Sequence, residues 1–254
     1  MFNNLPQVTR NLLFLNVIVF VATFVLSLQN IDLNGLLGSH YLGSPLFQPY
    51  QIISHMFAHG DFWHLFLNMW LFVMLGGFLE QLWGPKRFFF FFISCGLGAF
   101  FLYNIVGAYE LYELRQALAF KYNMESIDQI IKHAAPNESI NDLNRYIETK
   151  NYFVTLELNR YVGLVNSTML GASGAVFGVL AAFAILFPNQ EFLLFFILPL
   201  KAKYLVTLYF AYEVIASFEN NPVDNVAHLA HVGGAIVGAG IVLYWRKKDR
   251  NRFY

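Results

Sequence analysis

Six stretches of this 254-residue chain are apolar for close to the length that a helix needs to cross a lipid bilayer, and this excludes most folds. A helix rises about 1.5 Å per residue, so a hydrocarbon layer of about 30 Å takes roughly 20 apolar residues. The stretches lie at about 11–28, 63–83, 87–107, 170–187, 204–218 and 227–245. In lipid every backbone N–H and C=O has to be paired within the protein, which leaves helices or closed barrels. Hydrophobic residues make up 57% of the chain and charged ones 13%, half the share of an ordinary soluble domain, so the expected fold is an all-α membrane bundle of six helices. The fifth stretch is the weakest. Glu191 to Leu200 is apolar but short and is stopped by Pro199, so it reads as a loop or interfacial segment. No small-residue cleavage site follows the first stretch, which reads as a retained helix.

Charge orients the bundle. With the N-terminus inside, the inner segments hold Arg10, Lys86, Arg87, Lys201, Lys203, Arg246, Lys247, Lys248, Arg250 and Arg252, while the outer loop from Gln29 to Phe62 has no Lys or Arg. The remaining basic residues fall in one long segment, Tyr109 to Tyr161, and long loops translocate largely regardless of charge. Both termini are therefore expected in the cytoplasm, with the bacterial cytoplasmic membrane as the host. The chain divides into membrane spans one to three (1–108), an outer insertion (109–162) and spans four to six with a short cytoplasmic tail (163–254). Within the insertion, Glu110–Tyr122 and Ser126–Ala134 read as helices, Pro136-Asn137 as a turn and Thr149–Glu157 as extended; the whole is expected to pack on the outer face of the bundle. Asn137-Glu138-Ser139 and Asn166-Ser167-Thr168 match the glycosylation acceptor pattern, one that arises often by chance. The lone Cys95 excludes an internal disulfide, and zero formal net charge offers nothing to a nucleic acid.

Two small-residue motifs carry the chemistry. Gly171-Ala172-Ser173-Gly174 opens the fourth stretch and Ala230-His231-Val232-Gly233-Gly234 opens the sixth. A hydroxyl and an imidazole are costly in hydrocarbon unless they serve something, and a serine activated by a histidine is a nucleophile. Counting along each helix places Ser173 and His231 roughly 22 Å, and Asn68 roughly 24 Å, from the inner end of its span. All three then fall in one layer, some 6–8 Å below the outer surface of a core about 30 Å thick. Asp61 is a natural N-cap for the second span, and His64 and Asn68, four apart, share a face of it. Together with the backbone N–H of Ser173 they offer donors to the oxyanion that forms in acyl transfer. Gly174 and Gly178 form a flat strip beside Phe177, and Gly234-x-x-x-Gly238 is a close-packing pattern that puts His231 at the mouth of a tight helix contact, with Phe177 against its ring.

Taken together, Gly171-Ala172-Ser173-Gly174, His64-x-x-x-Asn68 and Ala230-His231-x-x-Gly234-x-x-x-Gly238 resemble the rhomboid family of intramembrane serine proteases, in the right order over the six-span core. The resemblance implies Ser173 as nucleophile and His231 as base, a dyad without a third acidic member. It also implies an oxyanion hole at His64 and Asn68, with Gly171, Phe177 and Gly234 supporting the site. His55, His59, Gly76-Gly77 and Glu80 match further family positions. Two departures stand out: Tyr50-Gln51 where many rhomboids have Trp-Arg, and the long insertion. The implied substrates are single-span membrane proteins met in the lipid bilayer, with no metal and no cofactor.

Other readings are weaker. His55, His59 and His64 suggest a zinc site, but Met56 stands where a His-Glu-x-x-His site needs its glutamate. A transporter would show more charge in its spans than Glu80 and Glu213. A catalytically dead relative would not need both Ser173 and His231. His228 lies one turn before His231 but lacks glycine three residues on, so His231 is the expected base and His228 a structural residue. His40 and His133 read as ordinary loop residues.

Overall fold

The computed structural model describes residues 5–134, 147–149, 154–194, 198–218 and 227–248. The Pro136-Asn137 turn and the Asn137-Glu138-Ser139 acceptor lie outside the described residues. Each of the six apolar stretches contains a helix: Gln7–Ser27, Phe62–Trp83, Pro85–Leu118, Ser173–Leu186, Ala202–Ala216 and His228–Lys248. The first, second, third and sixth are long and apolar enough to cross a membrane; Ser173–Leu186 is equally apolar but has 14 residues, and Ala202–Ala216 has 15. The protein is an all-α integral membrane protein.

Three expectations shift. The Glu191–Leu200 stretch folds as a small antiparallel hairpin, Glu191–Leu194 against Leu198–Lys201, with Glu191 opposite Lys201. Too short to span, it pairs its backbone with itself. The third helix continues past the expected end to Leu118, because Glu110-Leu111-Tyr112-Glu113-Leu114-Arg115-Gln116-Ala117 is rich in strong helix formers. The segment expected to be extended turns helical at Leu156, where the Thr155 hydroxyl accepts from the N–H of Leu158 and caps the helix Leu156–Asn166.

The chain divides into two compact units, Met1–Ile18 with His59–Tyr103 and Gly171–Tyr254, and Val19–Ala58 with Asn104–Leu170. In the first, glycines let helices touch backbone to backbone. A Cβ on Gly234 would overlap the carbonyl of Gly174, and one on Gly238 would stand 2.7 Å from the Cα of Gly178. Ala99 stands against Gly174 and Cys95 against Gly178, and Phe72, Phe88, Phe91 and Phe92 of the same unit are buried. Glu80 is buried as well and is fully employed. Its carboxylate accepts from the N–H of Val8 (2.8 Å), the N–H of Thr9 (2.7 Å) and the Thr9 hydroxyl (2.8 Å), so it caps the first helix from across the bundle.

The second unit has its own core, including Leu111, Leu118, Ile127, Ile131, Leu158 and Tyr161, with Tyr41 and Leu46 packed against it. Asp128 ties it together, accepting from Arg115 Nη2 at 2.8 Å and from the Tyr161 hydroxyl at 2.6 Å. Burial and this hydrogen bond push the Tyr161 phenol up. His40 is not an ordinary loop residue: it is 5% exposed, and its Nδ1–H donates to the Val165 carbonyl at 3.1 Å. Ser39 and Met169 exchange both backbone hydrogen bonds at 2.9 Å, stitching the loop to the segment that follows the insertion. The described residues of the insertion thus belong to the same packed unit as the loop after the first helix.

Candidate active site

Ser173 is the first residue of its helix, so its side chain and its N–H both sit where the intrahelical ladder has not begun. Gly171 makes this start possible. Its φ of +109° is open to glycine alone, and a Cβ there would stand 2.7 Å from His64 Nε2. The close approach therefore sets the His64 ring beside the segment that leads into Ser173. His64 follows the Asp61 cap, whose carboxylate accepts from the His64 N–H at 2.9 Å. Its ring also meets that of His59 edge-on, with centroids 5.0 Å apart.

Ser173 Oγ lies 2.8 Å from His231 Nε2. The histidine is 8% exposed and held from two sides. Phe177, one turn along from Ser173, stacks on the imidazole at 4.3 Å with 10° between the planes. Tyr209 packs against Phe177 with ring centroids 4.8 Å apart. Gly234 stands one turn beyond His231, against the backbone of Gly174. Asn68 is buried, and its Nδ2 donates to the His64 carbonyl at 2.8 Å; an amide carries two N–H donors, so this occupies one of them.

A residue absent from the expected constellation completes the picture. Glu213, on the helix Ala202–Ala216, is 2% exposed and places Oε2 2.8 Å from His231 Nδ1 and 2.6 Å from His228 Nδ1. His231 and His228 thus share one carboxylate oxygen, so His228 touches the site through Glu213 and does not stand apart from it. The signal was in the sequence. A carboxylate in an apolar helix implies a partner, and Tyr209 and Glu213, four apart, present one face of that helix. What the sequence withheld was which histidine that face meets.

The donor atoms of Glu213, His228 and His231 lie within 4.8 Å of one another, a grouping that is also able to hold a metal ion. His55 is a different case. Its Nδ1–H donates to the Gln51 carbonyl at 2.8 Å, and burial pushes its pKa down to about 4, so the ring is neutral and tied to its own helix turn.

Comparison with known proteins identifies the family. The rhomboid domain family matches residues 46–113 and 149–248, well over half of the chain. An uncharacterized mitochondrial rhomboid protein of Schizosaccharomyces pombe is 40% identical over 87 residues, 32% of this chain and 22% of that protein. The chain thus spans about a fifth of that relative's length. On the extent of the family match, the chain belongs to the rhomboid family.

Proposed function

We propose that the protein is an intramembrane serine endopeptidase that cleaves single-span membrane proteins near the outer end of their transmembrane helix, with Ser173 as nucleophile and His231 as general base. The observation that carries this reading is the 2.8 Å contact between Ser173 Oγ and His231 Nε2, with the imidazole held by Phe177. As Ser173 Oγ bonds to the scissile carbonyl carbon, its proton passes to His231 Nε2 and the carbonyl π pair moves to oxygen. Donors for that oxyanion are the Ser173 N–H, His64 and Asn68. Collapse expels the amine, which takes the proton from Nε2 and leaves an acyl-serine. Water then repeats the sequence, giving its proton to His231; collapse returns that proton to Ser173 and frees the acid.

Topology follows from the distribution of basic residues. Both termini lie on the inner side, and Ser173 lies toward the outer surface. The host membrane we favour is the bacterial cytoplasmic one. The yeast relative's name places that protein in mitochondria, so fractionation of a tagged chain from its own cells is the check.

A fluorophosphonate probe on purified protein, with mass-spectrometric mapping of a cleaved substrate, tests the reading. Wild type should label and cut toward the outer end of the substrate helix. Ser173→Ala should do neither. His231→Ala should fall to the same floor, since nucleophile and base act as a unit, whereas His228→Ala should stay clearly above that floor. Cleavage by Ser173→Ala, or loss on chelation with recovery on adding zinc, would overturn the assignment.

A further inference from the structure

We propose that Glu213 is a positioning residue for catalysis: its carboxylate fixes the Nδ1–H tautomer of His231, and His228 holds that carboxylate in place. This rests on reading Ser173 and His231 as nucleophile and base, and it replaces a two-residue site with a hydrogen-bonded chain that runs Ser173, His231, Glu213, His228.

The argument starts from what a neutral imidazole is able to do. One ring nitrogen carries the proton and donates, and the other accepts. For His231 to take the serine proton, Nε2 must be bare and Nδ1 must carry hydrogen. A carboxylate accepts only. With Oε2 of Glu213 at 2.8 Å from His231 Nδ1, the hydrogen belongs on Nδ1, and Nε2 is left as the acceptor 2.8 Å from Ser173 Oγ. The same oxygen lies 2.6 Å from His228 Nδ1, so His228 also presents Nδ1–H. A carboxylate that is 2% exposed needs more than one donor to remain ionised away from water, and His228 supplies the second.

Charge change along the reaction strengthens the case. Before reaction the cluster holds one buried negative charge and two neutral rings. When the Ser173 proton reaches Nε2, His231 becomes an imidazolium in direct hydrogen-bond contact with that charge. The interaction is stronger in the transition state than in the resting enzyme, and only such interactions raise kcat. Phe177 prevents the ring from turning away, since rotation about the Cβ–Cγ bond would break the 4.3 Å stack together with both hydrogen bonds.

A metal among these three residues is the competing arrangement, and the distances speak against it. Ligands on a tetrahedral zinc, each about 2.0–2.2 Å from the ion, are held apart by more than 3 Å. Here the acceptor–donor separations are 2.6 and 2.8 Å, the lengths of charge-assisted hydrogen bonds.

The test is Glu213→Gln, nearly the same shape with the charge removed, beside Glu213→Asp, which keeps the charge on a shorter arm. For Glu213→Gln in detergent we expect kcat to fall about 100-fold or more at near-constant KM, within the 10⁴-fold that tautomer loss costs a serine–histidine–aspartate enzyme. Glu213→Asp should recover at least tenfold of that loss. Unchanged kcat in a Glu213→Gln protein with wild-type thermal unfolding would overturn the proposal. Should Glu213→Gln fail to fold, ¹⁵N-histidine NMR of wild type decides: neutral His231 with hydrogen on Nδ1 supports it, and hydrogen on Nε2 overturns it. The Ser173→Ala control separates the two claims. If Ser173→Ala is inactive while Glu213→Gln is fully active, only the role of Glu213 falls; if Ser173→Ala still cuts, the reading beneath it falls.

Discussion

His64 and Asn68 show how residue-level chemistry depends on where a side chain is anchored. Both sit on the second-span face that the Asp61 cap orients, yet they are not equivalent. The His64 ring stands beside Gly171, while Asn68 has one amide hydrogen committed to the His64 carbonyl at 2.8 Å. Removing one oxyanion donor commonly costs 100- to 1,000-fold in rate. His64→Ala should fall in that range in kcat. Asn68→Ala should lose less, because the Ser173 N–H and His64 remain. Steady-state cleavage of one substrate by both variants is the measurement, and wild-type rates in both, with intact folding, would move the oxyanion hole elsewhere. Ser173, His231, His64 and Asn68 were all legible as residues of interest from type and spacing. The role of Glu213 was not, because no sequence spacing links residue 213 to residue 231.

Among helices, two devices fix how the helices meet. The first is the backbone contact of Gly174 with Gly234 and of Gly178 with Gly238, which brings the serine and histidine helices close enough for a 2.8 Å hydrogen bond between their side chains. The second is Glu80, which terminates the first helix by accepting from the Val8 and Thr9 N–H groups and the Thr9 hydroxyl. Replacing it by alanine leaves those donors without their acceptor, at about 1–3 kcal/mol for each one orphaned in a buried site. Thermal unfolding in detergent should therefore show Glu80→Ala well below wild type, with Glu80→Gln in between because its amide oxygen still accepts. Equal stability of all three proteins would mean that water replaces the carboxylate. Fewer of these details can be read in advance. Glycine spacing announces that a helix packs closely on something, but the partner is fixed only when both helices are placed.

At the scale of the whole molecule, the insertion is the part least explained by chemistry. Its described residues belong to the unit that also holds the loop after the first helix, whereas Ser173, His231, Glu213, His64 and Asn68 all belong to the other. Replacing residues 112–158 with a short Gly/Ser linker should leave fluorophosphonate labelling of Ser173 in place and change which substrates are cut. It should also lower the stability of the loop after the first helix, since Tyr41 and Leu46 lose the core they pack against. Complete loss of labelling in a variant that still folds would show that the insertion helps to build the active site.

Length and apolarity alone determined that this chain is a helical membrane protein, because lipid offers the backbone no other partner than itself. Residue type and spacing further marked a serine, a histidine and a pair of donors at one depth, since a polar group in hydrocarbon is costly wherever the helix places it. Tertiary structure decided the rest. It turned the short apolar run before the fifth helix into a hairpin, joined the described part of the insertion to the loop after the first helix, and set Glu213 between two histidines. The hairpin is local, but the other two are contacts between segments that are separate in sequence. Such contacts depend on how helices turn about their own axes and against one another, which local spacing does not encode.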